Sequence, residues 1–64
     1  MKFHVPDMSC GHCTAAITKE ITALDPQAKV ATDLDARTVE VMTGQPNAAV
    51  IDAIKAAGYE AAPV

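Results

Sequence analysis

The sequence predicts an α+β fold, a ferredoxin-like βαββαβ sandwich in which two helices cover one face of a four-stranded antiparallel sheet. Three observations carry that expectation. Two segments place apolar residues at helical spacing, the segments around them alternate polar and apolar residues as half-buried strands do, and the two halves of the chain echo one another. Thr14-Ala15-Ala16-Ile17 returns thirty-three positions downstream as Asn47-Ala48-Ala49-Val50, and Ile21 is matched by Ile54. Each half reads strand, helix, strand, and two such units build the sandwich.

Lys2-Phe3-His4-Val5 opens the chain as a strand with Phe3 and Val5 inward and His4 on the other face, and Pro6-Asp7 ends it. Ile17, Ile21 and Leu24 form the stripe of a first helix that begins close to Cys13 and stops at Asp25-Pro26-Gln27. From Ala28 onward Val30, Thr32 and Leu34 alternate as a second strand with one semi-polar inward position. Asp35-Ala36-Arg37 suits a hairpin turn, although it lacks the glycine of the tightest ones. Thr38 to Thr43 is the clearest strand, with Val39 and Val41 inward. Gly44-Gln45-Pro46-Asn47 then breaks the chain and starts a second helix, whose buried stripe is Val50, Ile51, Ile54 and Ala57. Gly58 suits the left-handed conformation that stops it, and Tyr59 to Val64 is expected as the last strand.

A length of 64 residues sets the expectation of one domain over residues 1–64 with one modest core. Half the chain is apolar, yet it holds one Phe, one Tyr and no Trp, so Val, Ile, Leu and Ala must build that core. No basic patch with interleaved aromatics exists, and the net charge is -3, which argues against nucleic acid as a partner. No apolar run is long enough for membrane insertion, and no basic segment followed by an apolar one marks an export signal. The expectation is therefore a cytoplasmic protein, and the initiating Met1 and close-fitting ends suggest a free-standing one. In a reducing compartment a C-x-x-C pair reads as a metal or redox site rather than a structural staple.

That pair, Cys10 and Cys13 in Met8-Ser9-Cys10-Gly11-His12-Cys13, lies where a strand gives way to a helix. Unpaired amide N–H groups and the positive end of the helix dipole face the thiols there and favour thiolate, the form that binds metal or attacks a disulfide. Cys13 precedes Ile17 by one helical turn and should be the sheltered sulfur, leaving Cys10 exposed and first to exchange ligands. Two sulfurs do not close a tetrahedral zinc site, but they suffice for Cu(I), a soft ion content with two or three sulfur ligands. Ser9 places no carboxylate beside them. Met8 tempts as a thioether ligand, but an apolar Met between strand and loop reads as a plug tethering the loop to the core. His12 reads as a solvent-facing side chain that modulates the thiolates rather than ligating metal. Tyr59 is expected to pack against the cysteine loop and shield the metal without binding it.

Met8-Ser9-Cys10-x-x-Cys13, taken together with Ala56-Ala57-Gly58-Tyr59, resembles the heavy-metal-associated domain, in particular small bacterial copper chaperones of the CopZ type. The resemblance spans essentially the whole chain and departs from the family in Pro6-Asp7, which stands where a Gly usually precedes the Met. It implies a non-enzymatic carrier that binds one Cu(I) through Cys10 and Cys13. It also implies a copper-transporting P-type ATPase as the partner, through that protein's own similar metal-binding domains, and a copper-responsive regulator as another. Other readings stay open. A thiol-disulfide oxidoreductase would share the loop-to-helix C-x-x-C, though this chain is short for a thioredoxin-like domain and no Trp precedes Cys10. A domain of the same fold could instead hold Zn, Cd or Hg, and a metal-linked homodimer could share one ion among four thiolates.

Overall fold

The computed structural model describes residues 1–64 and arranges them as β1 (Lys2–His4), α1 (Gly11–Leu24), β2 (Lys29–Asp33), β3 (Thr38–Met42), α2 (Asn47–Ala56) and β4 (Ala62–Pro63). The strands form one antiparallel sheet in the order β2-β3-β1-β4. This is the ferredoxin-like sandwich that the internal echo predicts. Phe3 pairs with Val39 across the two central strands, so the inward residues of β1 and β3 sit side by side under the helices.

Ten residues make the core: Phe3, Val5, Met8, Cys13, Ile17, Ile21, Val39, Val41, Val50 and Ile54. Each helix gives it one stripe, Cys13, Ile17 and Ile21 from α1 and Val50 and Ile54 from α2. Ile51 and Ala57, expected inside, are half-buried at its margin.

Several boundaries differ from the sequence reading. β1 ends at His4 rather than Val5 and β3 at Met42 rather than Thr43, whereas α1 starts at Gly11, close to Cys13 as expected, and takes Cys13 into its first turn. β2 stops at Asp33, and Leu34 belongs to the turn with 41% of its surface exposed, while Thr32 is exposed as well. Alternation alone cannot tell a central strand from an edge strand, whose inward side is only partly covered. The last strand is Ala62–Pro63 rather than Tyr59–Val64, because Tyr59 still belongs to the helix stop.

Two turns hold the sandwich in register. At the end of α2 the N–H of Gly58 bonds the carbonyl of Lys55 (2.9 Å) and that of Tyr59 bonds Ile54 (3.2 Å). This double closure requires the positive φ of 97° that Gly58 adopts. In the β2–β3 hairpin, Arg37 takes the left-handed position without being glycine, at φ 56°. Asp33 compensates, its Oδ1 accepting the N–H of Asp35 (3.0 Å) and of Ala36 (3.1 Å).

Candidate metal centre

Strand β1 and helix α1 meet in the segment from Val5 to Cys10. Its floor is Met8, which is fully buried and whose N–H bonds the carbonyl of Val5 at 3.0 Å. Burying the thioether side chain anchors the loop and takes its sulfur into the core, as a plug would.

Cys10 is the N-cap of α1 with extended backbone angles, and its carbonyl accepts the N–H of Cys13 (3.1 Å) and of Thr14 (3.3 Å). Its side chain makes no capping hydrogen bond, and its sulfur meets that of Cys13 instead. Cys13, at the third position of the helix, retains 7% of its exposure and continues the stripe of Ile17 and Ile21. The sheltered and exposed sulfurs are thus the ones the helical spacing predicts. Both cysteines are free, and their Sγ atoms lie 2.9 Å apart.

The thiol of Cys13 titrates at about 7, below its ordinary 9.0. The Cys10 thiol contributes most to this as a hydrogen-bond partner, followed by the Tyr59 hydroxyl and the backbone at Ser9, while desolvation works against them. The relation is mutual, since Tyr59 is raised, chiefly by its interaction with Cys13 and then by desolvation. Tyr59 is half-buried and packs against the core, placed at the rim by the turn at Gly58. Its phenol therefore stays protonated and able to donate to a thiolate.

His12 is exposed on the first turn of α1. No third Cys, His, Asp or Glu converges with the pair. Thiolates each about 2.3 Å from a shared metal would be roughly 3.8–4.6 Å apart, so the pair must open by about 1 Å or more to admit an ion. The exposed Cys10 is the side chain with room to swing.

Sequence reasoning missed Arg37. Its guanidinium Nη1 donates to the carbonyl of Pro6 at 2.8 Å, and its own carbonyl accepts the N–H of Val5 at 2.8 Å. Arg37 thereby fastens the start of the cysteine loop to the hairpin from thirty-one positions away. No local motif signals such a contact.

A ferredoxin-like sandwich that offers two free thiols from a strand-to-helix loop defines a small thiol-based metal-binding domain. The chain belongs to the Heavy-metal-associated domain family, whose profile matches residues 2–60. Among solved structures, the copper chaperone Atx1 from Synechocystis PCC6803 is 31% identical, with a TM-score of 0.94 over 97% of this chain and 98% of that one. A gold binding protein is 38% identical, with a TM-score of 0.91 over 95% and 94% of the two chains. A protein from Agrobacterium tumefaciens is 42% identical, with a TM-score of 0.87 over 94% of each. No curated protein matches the sequence. No helix is long and apolar enough to cross a membrane.

Proposed function

We propose that this chain is a cytoplasmic copper chaperone, with residues 1–64 forming one domain, which binds one Cu(I) through the thiolates of Cys10 and Cys13. It passes the ion by ligand exchange to the metal-binding domain of a copper-transporting P-type ATPase, and a copper-responsive regulator is a second recipient. The observation that carries this reading is a pair of sulfurs in mutual contact, one exposed and one sheltered, with no third ligand beside them. Such a set is under-coordinated for Zn(II) and sufficient for a soft monovalent ion. The likeness to a copper chaperone supports copper as that ion. The gold binding protein is similar too, and monovalent gold would suit the same two sulfurs.

In this mechanism a partner thiolate approaches the bound ion from the solvent side, where Cys10 is exposed, and makes it three-coordinate. Cys10 leaves first, a second partner thiolate enters, and Cys13 leaves last. No bond is made or broken except metal–sulfur bonds, so the protein acts as a carrier and not as an enzyme. Tyr59 donates to the Cys13 thiolate as it loses the metal, Met8 keeps the loop seated, and His12 tunes the thiolates from outside.

The test is transfer. Cu(I)-loaded chain mixed anaerobically with an apo P-type ATPase metal-binding domain should give up its ion to that domain within mixing time, and Cys10→Ser should abolish loading. Retained high-affinity loading in Cys10→Ser, or in Cys13→Ser, would refute the two-sulfur site. Catalytic turnover of a disulfide substrate by the metal-free protein would point to the oxidoreductase reading instead.

A further inference from the structure

The two edges of the sheet are unlike. On β4 the edge position is Pro63, which lacks an N–H and cannot extend the ladder. β2 has no such block. The N–H of Val41 bonds the carbonyl of Met1, and the N–H of Val5 bonds that of Arg37, so the odd-numbered residues of β3 face β1. The even-numbered residues therefore face β2, where Thr38, Glu40 and Met42 oppose Asp33, Ala31 and Lys29. Val30 and Thr32 are left turning their N–H and C=O groups outward from the edge.

The side chains along this edge, Lys29-Val30-Ala31-Thr32-Asp33, are arranged symmetrically. When a second copy is laid antiparallel against it about Ala31, every position meets a fitting partner. Lys29 faces Asp33 of the other copy on the open side of the sheet, and Asp33 faces Lys29. Val30 faces Thr32 on the helix side, and just beyond the strand the 41%-exposed Leu34 faces the half-buried Ala28. The outward groups of Val30 and Thr32 then meet in register as two mutually bonded pairs, giving four backbone hydrogen bonds. A shift by one residue would break this match, setting Lys29 opposite Thr32 and turning the cross-strand charges out of register.

We propose that the β2 edge is a self-pairing surface through which two copies of this chain join their sheets antiparallel about Ala31, held by crossed Lys29–Asp33 pairs. The partner is chosen by charge complementarity, because the strand carries both halves of the match. The contact lies on the sheet edge and uses neither sulfur, so it needs no metal. It is therefore distinct from a dimer that shares an ion through four thiolates, and it stands whether or not the chain carries copper.

The test uses reduced, metal-free protein in chelator, followed by sedimentation and amide NMR as concentration is raised into the millimolar range. The expected result is reversible dimerisation, with shifts and exchange protection centred on the amides of Val30 and Thr32. Lys29→Glu places like charges at both crossed positions and should weaken association about tenfold. Asp33→Lys should do the same. Mixing the two variants should restore pairing, since the two introduced charges are opposite and face each other, while the unaltered Asp33 of one copy meets the unaltered Lys29 of the other. Asp33 also closes the hairpin turn, so Thr32→Pro, which removes an outward N–H and no ladder bond, serves as the second disruption. A monomer at every concentration would overturn the proposal. So would a dimer indifferent to charge reversal, or one that disappears in Cys10→Ser.

Discussion

At the residue scale the chemistry turns on Cys13. Its thiol titrates at about 7 instead of 9.0, because the Cys10 thiol and then the Tyr59 hydroxyl stabilise its thiolate. Thiolate absorbance in the metal-free protein should therefore show a step near neutral pH that is absent in Cys13→Ser. Cys10→Ser should move that step furthest up, toward 9.0, and Tyr59→Phe should move it up by less, in the order of the two interactions. A midpoint unmoved in Tyr59→Phe would remove the phenol from the site. The sign of the linked stability follows. A thiol whose folded value is depressed adds stability that is fully present above 9.0 and is lost as pH falls through about 7. The exposed Cys10, the sheltered Cys13 and the buried Met8 were legible in the sequence because each rests on local spacing beside a strand or helix end. The half-buried place of Tyr59 was reached only through the topology that returns the Gly58 turn beside the cysteine loop. Arg37 was not legible, because its bond to Pro6 joins segments brought together only by the folded hairpin.

At the scale of elements, the end of the sandwich remote from the cysteines has its own fastening. Thr43 Oγ1 donates to Asp25 Oδ2 at 2.5 Å and accepts the N–H of Gln45 at 3.2 Å, tying the end of α1 to the approach to α2. Asp25 also accepts the N–H of Gln27 at 3.0 Å. The Thr43 hydroxyl first, and then the Gln27 amide, lower the Asp25 carboxyl below 3.8. The stability linked to this shift is present above 3.8 and fades as pH falls further. Thr43→Val should accordingly lower the melting temperature at neutral pH, and its difference from the parent should shrink in acid. A pH-independent difference would show that packing, not the hydrogen bond, is what Thr43 supplies. At the other end of α2, Gly58→Ala meets no atom within 4 Å but must hold a φ of 97°. It should cost about 1–2 kcal/mol in chemical denaturation through backbone strain alone. Helices and central strands were readable because their stripes are strong, whereas the edges were not: Thr32 and Leu34 keep a strand's alternation while lying where little covers them.

At the scale of the whole molecule, ten buried residues support sixty-four. At 0.05–0.15 kcal/mol per residue the chain should be stable by about 3–10 kcal/mol. Ile54→Ala or Ile21→Ala, each emptying a fully buried position, should cost about 2–5 kcal/mol and bring the fold near its threshold. The cysteine substitutions differ in kind. Cys10 is exposed and Cys13 sits at the rim of the core, so serine at either should leave the sheet and helices in place while removing metal binding. This separation of scaffold from site is what the proposed carrier requires, a compact sandwich that presents two sulfurs without depending on them. It also explains why the family and its fold were readable from two short motifs and an internal echo. The measurement that bears most directly on this account is anaerobic competition of the reduced protein for Cu(I) and Zn(II), with both cysteine variants in parallel. The account predicts one Cu(I) per chain, bound in preference to Zn(II) and lost in Cys10→Ser and Cys13→Ser. Preference for Zn(II), or Cu(I) held tightly by either variant, would contradict it.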